Sequence, residues 1–358
     1  MDDRTTLLDI ATYCNLSKST VSRVLNGNAG NFRIATETVE KVLHTAKKLN
    51  YRPNRLARAI NNRRTHLIGI SFPKHPADDV AKERKLANDH RIMGVALSAI
   101  TQHPLFEEKK YDLVFHGRDE LSDQSLSEND MKEDLLDGMI YFTPSSKHLE
   151  FLKTTNENIP LVILGDMQAL HSSVICVDIN NRKMAQKATE HLLSIGRKNI
   201  MVLVPELILS TYCIQDRLNG YRDALHAAGL KENPDLIRLV RNDEKIVSDF
   251  IHNSASLEQV DAIFCLSDDI AKLCLDPLQE RGFNIPEDMA VMGFSGFDLF
   301  SEKANKLSTV RIPIHAMAYS ATEHLLAVLE NKTPYKPGFY EVPAELLIRE
   351  STVKSEQA

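Results

Sequence analysis

The chain has no tryptophan, and only 6% of its 358 residues are aromatic. Its apolar residues never form an uninterrupted run of about eighteen, the length that a membrane-spanning helix requires. The N-terminal residues MDDRTTLL are acidic and contain no apolar core of the kind that marks a secretory signal peptide. These absences predict a cytoplasmic protein with no membrane partner.

The cysteines are few, and no two of them have C-x-x-C spacing. They are Cys14, Cys176, Cys213, Cys265 and Cys274. An odd number without paired spacing is typical of a reduced protein with neither a disulfide framework nor a metal site. No G-x-G-x-x-G sequence or P-loop follows an apolar run, and no Ser/His/Asp arrangement stands out among the 13 histidines. We therefore expect no cofactor and no enzymatic activity.

The net charge of −6 is unevenly distributed along the chain. Residues 1–64 contain twelve Lys and Arg but only five Asp and Glu, a balance of +7, so the remaining residues carry −13. A basic segment attached to an acidic body is typical of a protein in which only that segment meets nucleic acid.

The stretch SKSTVSRVLN, residues 17–26, has the pattern of a short amphipathic helix with Ser17 as its N-cap. Its apolar face consists of Val21, Val24 and Leu25. Its other face carries hydrogen-bonding side chains, namely Lys18, Ser19, Ser22 and Arg23. Such a helix fits the major groove of DNA, although an ordinary surface helix would show the same pattern.

The flanking residues favour the DNA-binding interpretation. Thr6 and Asp9 have capping-box spacing, and the apolar periodicity after them predicts a helix that runs to about Cys14. Only Asn15 and Leu16 then precede the Ser17 cap, so the two helices form a helix-turn-helix. A third helix that closes a small core is predicted by Val39, Val42, Leu43, Ala46 and Leu49.

Two stretches carry a family resemblance, LSKSTVSRVLN at residues 16–26 and YRPNRLARAI at residues 51–60. They resemble the lac repressor/galactose repressor (LacI/GalR) family of bacterial transcription regulators. The resemblance implies an all-α helix-turn-helix head over residues 1–50 and a hinge helix over residues 51–64. The DNA-binding residues that it implies are Thr6, Ser17, Lys18, Ser19, Ser22, Arg23, Asn26, Tyr51, Asn54, Arg55, Ala57 and Ile60.

The hinge helix is the second DNA contact that the resemblance implies. In the resembled family, two hinge helices lie in the minor groove and push an apolar side chain into a base step, which kinks the duplex. Ile60 holds that position here, and the alternative is a plain basic linker.

The Gly/Asn-rich loop of residues 26–37 is about three residues longer than the family pattern. Arg33 within it either reaches a phosphate or is simply solvated.

Residues 65–358 alternate short β-rich apolar runs with helical stretches, which predicts an α/β body of two doubly wound parallel-sheet lobes. We expect one lobe over about residues 65–168 and 296–322, and the other over residues 169–295 and 323–352. The predicted strands are Leu67–Phe72, Asp112–Phe115, Met139–Phe142, Leu161–Leu164, Val174–Val177, Ile200–Val204, Leu236–Val240, Ala262–Leu266 and Ala290–Phe294.

The body resembles the same family along nearly its whole length, most specifically in LSTVRIPIHAMA and AELLIREST. The resemblance implies periplasmic-binding-protein-like lobes of type I, joined by three crossovers, with a small-molecule effector in the cleft between them. The ligand-binding residues that we expect are Asp166, Arg217, Ser267, Asp268 and Ser295.

The predicted cleft also departs from the family pattern. Arg217, in the motif RLNGY, keeps an arginine whose planar fork suits hydroxyl pairs and carboxylates, although a surface arginine could occupy the same place. Ser267 stands where the family has Asn, and Asp166 comes one residue late. Residues 293–296 read GFSG rather than GFDD. The ligand is therefore predicted to be sugar-like or another polar metabolite.

These features together predict a nucleoid-associated transcription regulator that binds a pseudo-palindromic double-stranded operator. Repression is the preferred role, and activation is the alternative that the sequence leaves open. A two-fold DNA site needs two heads, so we expect a homodimer. The alternative is a solute-binding protein with the same body and no regulatory role. That class requires an export signal and has no need of a basic helix-turn-helix.

Overall fold

The computed structural model describes residues 5–27, 29–51, 64–74, 80–119, 135–143, 148, 152–153, 159–165, 168–206, 209, 211–296 and 305–353. The chain forms two compact units, of which the first ends at Thr65 and the second begins at His66. None of the helices in the described ranges combines the length and the apolar composition needed to cross a bilayer.

The first unit contains three helices, α1 (Leu7–Cys14), α2 (Lys18–Leu25) and α3 (Thr36–Lys48). The predicted helix-turn-helix is confirmed. The turn depends on Asn15, which adopts the left-handed conformation (φ 53°, ψ 49°) and ends α1. The helices close on a small core in which the buried side chains are Ile10, Ala11, Cys14, Val21, Val24, Val42 and Ala46.

The predicted core face of α3 was wrong at one position. Leu43 is 50% exposed, and Thr45 is buried instead, at 3% exposure. The two residues lie on different sides of the helix, about 200° apart at 3.6 residues per turn. Because α3 packs against both α1 and α2, this packing rather than the apolar periodicity decides which side of α3 is buried.

The first sheet of the second unit has six parallel strands in the spatial order β11-β5-β4-β3-β1-β2. They are β1 (Leu67–Lys74), β2 (Asp112–Asp119), β3 (Gly138–Phe142), β4 (Leu161–Leu164), β5 (Ile175–Asp178) and β11 (Gly338–Glu341). The central strands β3, β4 and β5 are buried along their whole length, as expected for a parallel sheet covered on both faces.

The second sheet has the order β12-β10-β9-β8-β6-β7 and is parallel except for its edge strand β12. Its strands are β6 (Ile200–Pro205), β7 (Ile237–Val240), β8 (Ala262–Cys265), β9 (Ala290–Ser295), β10 (Ser308–Arg311) and β12 (Glu345–Leu347). All nine predicted strands are therefore present, and the sequence pattern missed only β10, β11 and β12 among the strands of the described residues.

The helices of this unit pack against the two sheets and against one another. They are α4 (Val80–Thr101), α5 (Pro104–Lys109), α6 (Asn181–Ser194), α7 (Tyr212–Ala227), α8 (Glu244–Asn253), α9 (Asp268–Glu280) and α10 (Ile314–Leu329). Helix α10 packs on the first sheet beside α4, whereas α6 and α7 pack tightly together, with α6 against the second sheet. The predicted doubly wound architecture with two lobes is confirmed.

The chain crosses between the sheets three times, but not where the sequence-based lobe boundaries lie. The crossings follow β5, β10 and β11, so they come after Asp178, Arg311 and Glu341 rather than after residues 168, 295 and 322. Each crossing comes later than predicted because the chain adds one more strand to a sheet before it leaves that sheet. Strands β5 and β11 are added to the first sheet in this way, and β10 to the second. Strand β5, for example, adds to the first sheet through the ladder Val162↔Ile175.

Candidate nucleic-acid interface and ligand cleft

Helix α1 begins with the predicted capping box. The backbone N–H of Thr6 donates to Asp9 Oδ2 at 2.7 Å, and the N–H of Asp9 donates to Thr6 Oγ1 at 3.4 Å. These N–H and hydroxyl donors from Thr6 lower the pKa of the Asp9 carboxyl below its ordinary value. The structure therefore gives Thr6 a capping role, and its predicted contact with DNA stays a prediction.

Helix α2 presents the predicted division between an apolar and a polar face. Val21 and Val24 are buried, whereas Lys18, Ser19 and Arg23 are exposed. The structure thus brings these three donors together on the solvent-exposed side of α2. A helix of this kind can enter a major groove and donate hydrogen bonds to base edges.

The remaining polar residues of α2 mostly bond to one another. Ser17 caps the helix by accepting from the N–H of Thr20 at 3.1 Å, and its Oγ also lies 2.8 Å from Ser19 Oγ. Asn26 Nδ2 donates to Ser22 Oγ at 3.2 Å. These bonds orient the exposed face before any DNA is present, which lowers the entropy lost on binding.

One contact on this surface was missed by the sequence analysis. The guanidinium of Arg23 lies over the ring of Phe32, 3.9 Å from the ring centroid. Phe32 belongs to a one-turn 3-10 helix, Gly30–Phe32, in the long loop. No local pattern predicts the contact, because it depends on how the loop folds back over α2.

The hinge residues divide between the described and the undescribed parts of the chain. Tyr51 is half-buried against the helical core, and its N–H donates to the carbonyl of Ala46 at 2.9 Å. The predicted DNA contacts Asn54, Arg55, Ala57 and Ile60 lie outside the described residues, and their roles stay predictions.

In the second unit, Arg217 lies in the first half of α7 and is only 7% exposed. Its Nε donates to Asn181 Oδ1 at 2.9 Å, and its Nη1 donates to the carbonyl oxygen of Leu266 at 2.9 Å. Its guanidinium also lies over the ring of Phe294, 3.9 Å from the centroid. Burial lowers the pKa of this guanidinium, and the nearby carboxylates Asp178 and Asp268 oppose that shift. An arginine nevertheless stays charged in a protein, so this buried cation is permanent.

Asp178 completes this cluster. Its Oδ2 accepts from Asn181 Nδ2 at 3.0 Å, and its Oδ1 accepts from the N–H of Ile179 at 2.7 Å. The carboxylate therefore fixes the amide of Asn181 so that its oxygen points to Arg217. Neither Asp178 nor Asn181 was among the predicted site residues, because the partners are 36 residues or more from Arg217 along the chain.

Asp268 is buried at the start of α9, and both of its oxygens are bonded to protein. Oδ1 accepts from Thr309 Oγ1 at 2.6 Å, and Oδ2 accepts from the N–H of Gly296 at 2.7 Å. Burial is the largest influence on the carboxyl and raises its pKa to about 6, despite these two donors. A Cβ added to Gly293 would overlap Asp268 Oδ1, so the close approach of α9 to β9 requires glycine there.

The other predicted ligand residues lie nearby. Ser267 caps α9 by accepting from the N–H of Asp269 at 3.3 Å, and half-buried Ser295 ends β9. Because β8 and β9 are neighbouring parallel strands, their carboxyl ends bring Ser267 and Ser295 to the edge that Arg217 reaches. Asp166 lies outside the described residues, so its predicted ligand contact stays a prediction.

A cavity of about 330 Å³ lies on a different face of α7 from Arg217. Its lining includes Tyr212, Asp216 and Asn219, which follow one another at helical spacing, together with Phe339 of the first sheet. Asn181 lines this cavity and also bonds Arg217, so the two places share one side chain. No group of three or more metal-ligating side chains is present among the described residues.

Comparisons with known proteins agree with this arrangement. Residues 6–54 match the model of bacterial regulatory proteins of the lacI family, and residues 189–352 match the periplasmic binding protein-like domain. The HTH-type transcriptional regulator RegA of Clostridium saccharobutylicum is 29% identical, over 98% of this chain and 99% of its own. The ribose operon repressor of Halalkalibacterium halodurans is 27% identical, over 99% of both chains.

Solved structures show the same fold. The lac repressor dimer bound to operator and the anti-inducer ONPF is 19% identical and superposes with a TM-score of 0.80, over 98% of this chain and 100% of that one. The CelR–cellobiose complex is 23% identical with a TM-score of 0.67, over 97% and 100% of the two chains. With its lacI-type head, its periplasmic-binding-protein-like body and full-length relatives that are named transcriptional regulators, the chain belongs to the LacI family of DNA-binding transcriptional regulators.

Proposed function

We propose that this regulator binds a pseudo-palindromic operator as a homodimer in the cytoplasm, on the nucleoid, and represses transcription. A small polar ligand, sugar-like or another hydroxyl-rich metabolite, bound at the carboxyl ends of β8 and β9, sets its affinity for the operator. The observation that carries the proposal is the exposed donor face of α2, where Lys18, Ser19 and Arg23 lie opposite the buried Val21 and Val24.

The base-reading role belongs to Arg23 in this proposal. A guanidinium can donate two parallel hydrogen bonds to a guanine, which is worth about 1–3 kcal/mol of discrimination against other bases. Lys18 and Ser19 lie on the preceding turn and supply further contacts to bases or phosphates. The hinge of the same chain is assigned to the minor groove, with Ile60 as the wedge.

The ligand half of the proposal is supported by the position of the Arg217 cluster relative to the crossings between the sheets. Asn181 begins α6 directly after the first crossing, and Thr309 lies shortly before the second. Arg217 donates a hydrogen bond to Asn181, and Asp268 accepts one from Thr309. A ligand that competes for these bonds acts where the two lobes join, so it can shift their equilibrium by its difference in affinity for the two states.

The ligand class follows from the donors and from relatives. The fork of Arg217 and the hydroxyl groups of Ser267 and Ser295 suit a ligand with several hydroxyl or carboxylate oxygens. The ribose operon repressor and the cellobiose complex of CelR name sugars for those proteins. We carry only that chemical class to this chain, because its cleft has Ser267 and Ser295 where the family pattern has Asn and Asp.

The test selects duplexes from a random DNA library with the full chain and compares Arg23→Ala with Arg222→Ala. Arg222 pairs with Glu232 on the surface of the second unit, so its variant controls for the loss of one positive charge. Arg23→Ala is expected to lose one preferred base pair in each half-site, whereas Arg222→Ala selects the native sequence. An unchanged selection by Arg23→Ala would remove the base-reading role.

Two further measurements complete the test. Light scattering is expected to show a dimer, alone and on a selected duplex, and a monomer on DNA would contradict the two-fold site. A thermal-shift screen of pentoses, hexoses, disaccharides and sugar acids is expected to find a stabilising compound that also changes the affinity for that duplex. Ligand binding by a chain that selects no DNA would favour a solute-binding protein instead.

A further inference from the structure

The loop between α2 and α3 folds back towards the DNA-facing side of α2. It contains the one-turn helix Gly30–Phe32, which is closed by a hydrogen bond from the N–H of Ile34 to the carbonyl of Ala29 at 3.1 Å. Arg33 follows in the left-handed conformation, with φ 50°, and reverses the chain. This turn lies in the loop that is about three residues longer than the family pattern.

The turn leaves Phe32 on the surface, where its side chain is 50% exposed. A large aromatic side chain in that position gains little from burial, so its contribution to folding is small. Its ring centroid nevertheless lies 3.9 Å from the guanidinium carbon of Arg23. The Phe32 ring is therefore placed for a contact with Arg23 rather than for the core.

Arg23 has few other constraints. Among the described residues its side chain forms no ion pair and no hydrogen bond, and it is exposed. A free arginine side chain carries about 2 kcal/mol of rotamer entropy, much of which is lost when it docks on a base. A partner that already holds the guanidinium in one place reduces that loss.

The geometry of a cation–π contact leaves the hydrogen bonds of arginine available. The ring meets the flat face of the guanidinium, whereas its five N–H donors point outward in the plane. Arg23 can therefore stay on Phe32 and still donate two parallel bonds to a guanine edge. Lysine has no such plane, so the arrangement is specific to an arginine.

We propose that Phe32 is the positioning residue that orients Arg23 for base reading and so sharpens the sequence specificity of this regulator. This proposal rests on the base contact that we propose for Arg23. It assigns a role in sequence reading to the long loop, which the family pattern does not contain at this length. It also predicts that Phe32 acts through Arg23 and makes no essential contact with DNA.

The experiment measures the Kd of the full chain for two duplexes. One is the sequence selected by the native protein, and the other has the guanine lost in the Arg23→Ala selection replaced by adenine. Phe32→Ala is expected to raise the Kd for the selected duplex about two- to fivefold, the factor expected for one exposed cation–π contact. The Kd for the replaced duplex is expected to change less, because adenine keeps the N7 acceptor but has an amino donor in place of O6, so it cannot accept both bonds of the oriented fork.

Matched variants separate positioning from other roles. We expect Phe32→Trp, which keeps an aromatic ring, to discriminate between the two duplexes as well as the native protein does. Phe32→Leu, which keeps an apolar side chain but no ring, is expected to behave like Phe32→Ala. In an Arg23→Ala background, Phe32→Ala has no further effect on either Kd. Urea unfolding of Phe32→Ala stays close to native, as expected for a half-exposed side chain.

The outcomes distinguish this proposal from the one on which it rests. If Arg23→Ala leaves the selected sequence and Kd unchanged, the base contact is absent and both proposals fail. If Arg23→Ala relaxes specificity and Phe32→Ala does not, only the positioning role fails. A loss of affinity in Phe32→Ala that is equal for both duplexes, or that persists without Arg23, would show a direct DNA or structural role and overturn the positioning role.

Discussion

The guanidinium of Arg217 lies over the ring of Phe294, 3.9 Å from its centroid, and so links α7 to the end of β9. The same side chain donates to Asn181 and to the carbonyl of Leu266. One buried cation therefore ties the start of α6 to the ends of β8 and β9. Because these elements meet near the first crossing between the sheets, Arg217 has a structural role as well as the proposed ligand contact.

Arg217→Ala is expected to destabilise the protein by about 3 kcal/mol. The change removes two hydrogen bonds from a charged donor, leaves Asn181 Oδ1 and the Leu266 carbonyl without that donor, and opens a cavity beneath Phe294. The ligand response of DNA binding should be lost as well, with ligand-free DNA binding largely kept where the variant is folded. Urea unfolding and a DNA titration with and without ligand check this.

Arg222→Ala, on the same helix, is the matched control for Arg217→Ala. Its pair with Glu232 is at the surface, so its loss is expected to cost less than about 1 kcal/mol. Arg217→Lys keeps the charge without the planar fork and should lie between the two. Equal stability of Arg217→Ala and Arg222→Ala, or a full ligand response without Arg217, would contradict the assignment.

Two Gly→Ala changes in helices are expected to have opposite effects. A Cβ at Gly220 would overlap the carbonyl oxygen of Arg182 and lie 2.9 Å from the N of Gln186, so Gly220→Ala should force α6 and α7 apart and cost about 1–3 kcal/mol. At Gly94 a Cβ meets nothing within 4 Å, so Gly94→Ala should stabilise by about 0.5–1 kcal/mol. Thermal unfolding measures both, and a stable Gly220→Ala would rule out the close helix contact.

The head could be predicted almost completely from the sequence because its determinants are local. The capping box joins Thr6 to Asp9, only three positions away, and the left-handed turn depends on the single residue Asn15. Leu43 could not be placed correctly in this way. Its exposure depends on which side of α3 meets α1 and α2, and the sequence offers apolar residues on more than one side.

In the body, nine strands could be predicted from the sequence, but the sheet of β5 and the strands β10, β11 and β12 could not. Uninterrupted apolar runs such as Leu161–Leu164 mark buried strands, whichever strands they pair with. Strands β10 and β11 are equally short but mix polar with apolar residues, and their sheet membership depends on partners far away in sequence, such as Gly338↔Ile175. The crossings therefore lie later than the predicted lobe boundaries.

The site shows the same division between local and distant information. The RLNGY motif identified Arg217, and the structure explains its glycine, because a side chain at Gly220 would overlap the backbone of α6 at Arg182. The partners Asn181 and Phe294 could not be found, since they reach Arg217 only through the topology of two sheets. Phe32 was also missed, because its contact with Arg23 depends on how the loop between α2 and α3 folds.

Ile60→Gly is expected to weaken operator binding and bending while leaving ligand binding to the body intact. Ile60 lies outside the described residues, and its wedge role rests on the position that it occupies in YRPNRLARAI. A short hinge helix is unstable alone and gains its hydrogen bonds only with a partner hinge and the groove. Fluorescence energy transfer across a labelled duplex measures the bend, with Ile60→Leu as the conservative control. Native bending by Ile60→Gly would exclude the wedge.

Asp268 gives the body a pH dependence of stability with a definite sign. Burial raises the pKa of its carboxyl in the folded protein from 3.8 to about 6. Between these two values the folded state holds a proton that the unfolded state has lost, so the contribution of Asp268 to stability falls as the pH rises through this interval. Two units of pKa shift correspond to about 3 kcal/mol. Above about pH 6 both states are ionised at this position, and the contribution stays constant.

Asp268→Asn should remove this dependence, because the amide keeps a side-chain oxygen that can accept from Gly296 and carries no titrating proton. The stability of Asp268→Asn relative to native is therefore expected to rise by up to about 3 kcal/mol from about pH 4 to pH 6 and to stay level above. Urea unfolding at steps of half a pH unit measures the difference, in which other titrating groups cancel. A difference between Asp268→Asn and native that is constant with pH, or that falls over this interval, would show that Asp268 is not protonated in the folded body near pH 5.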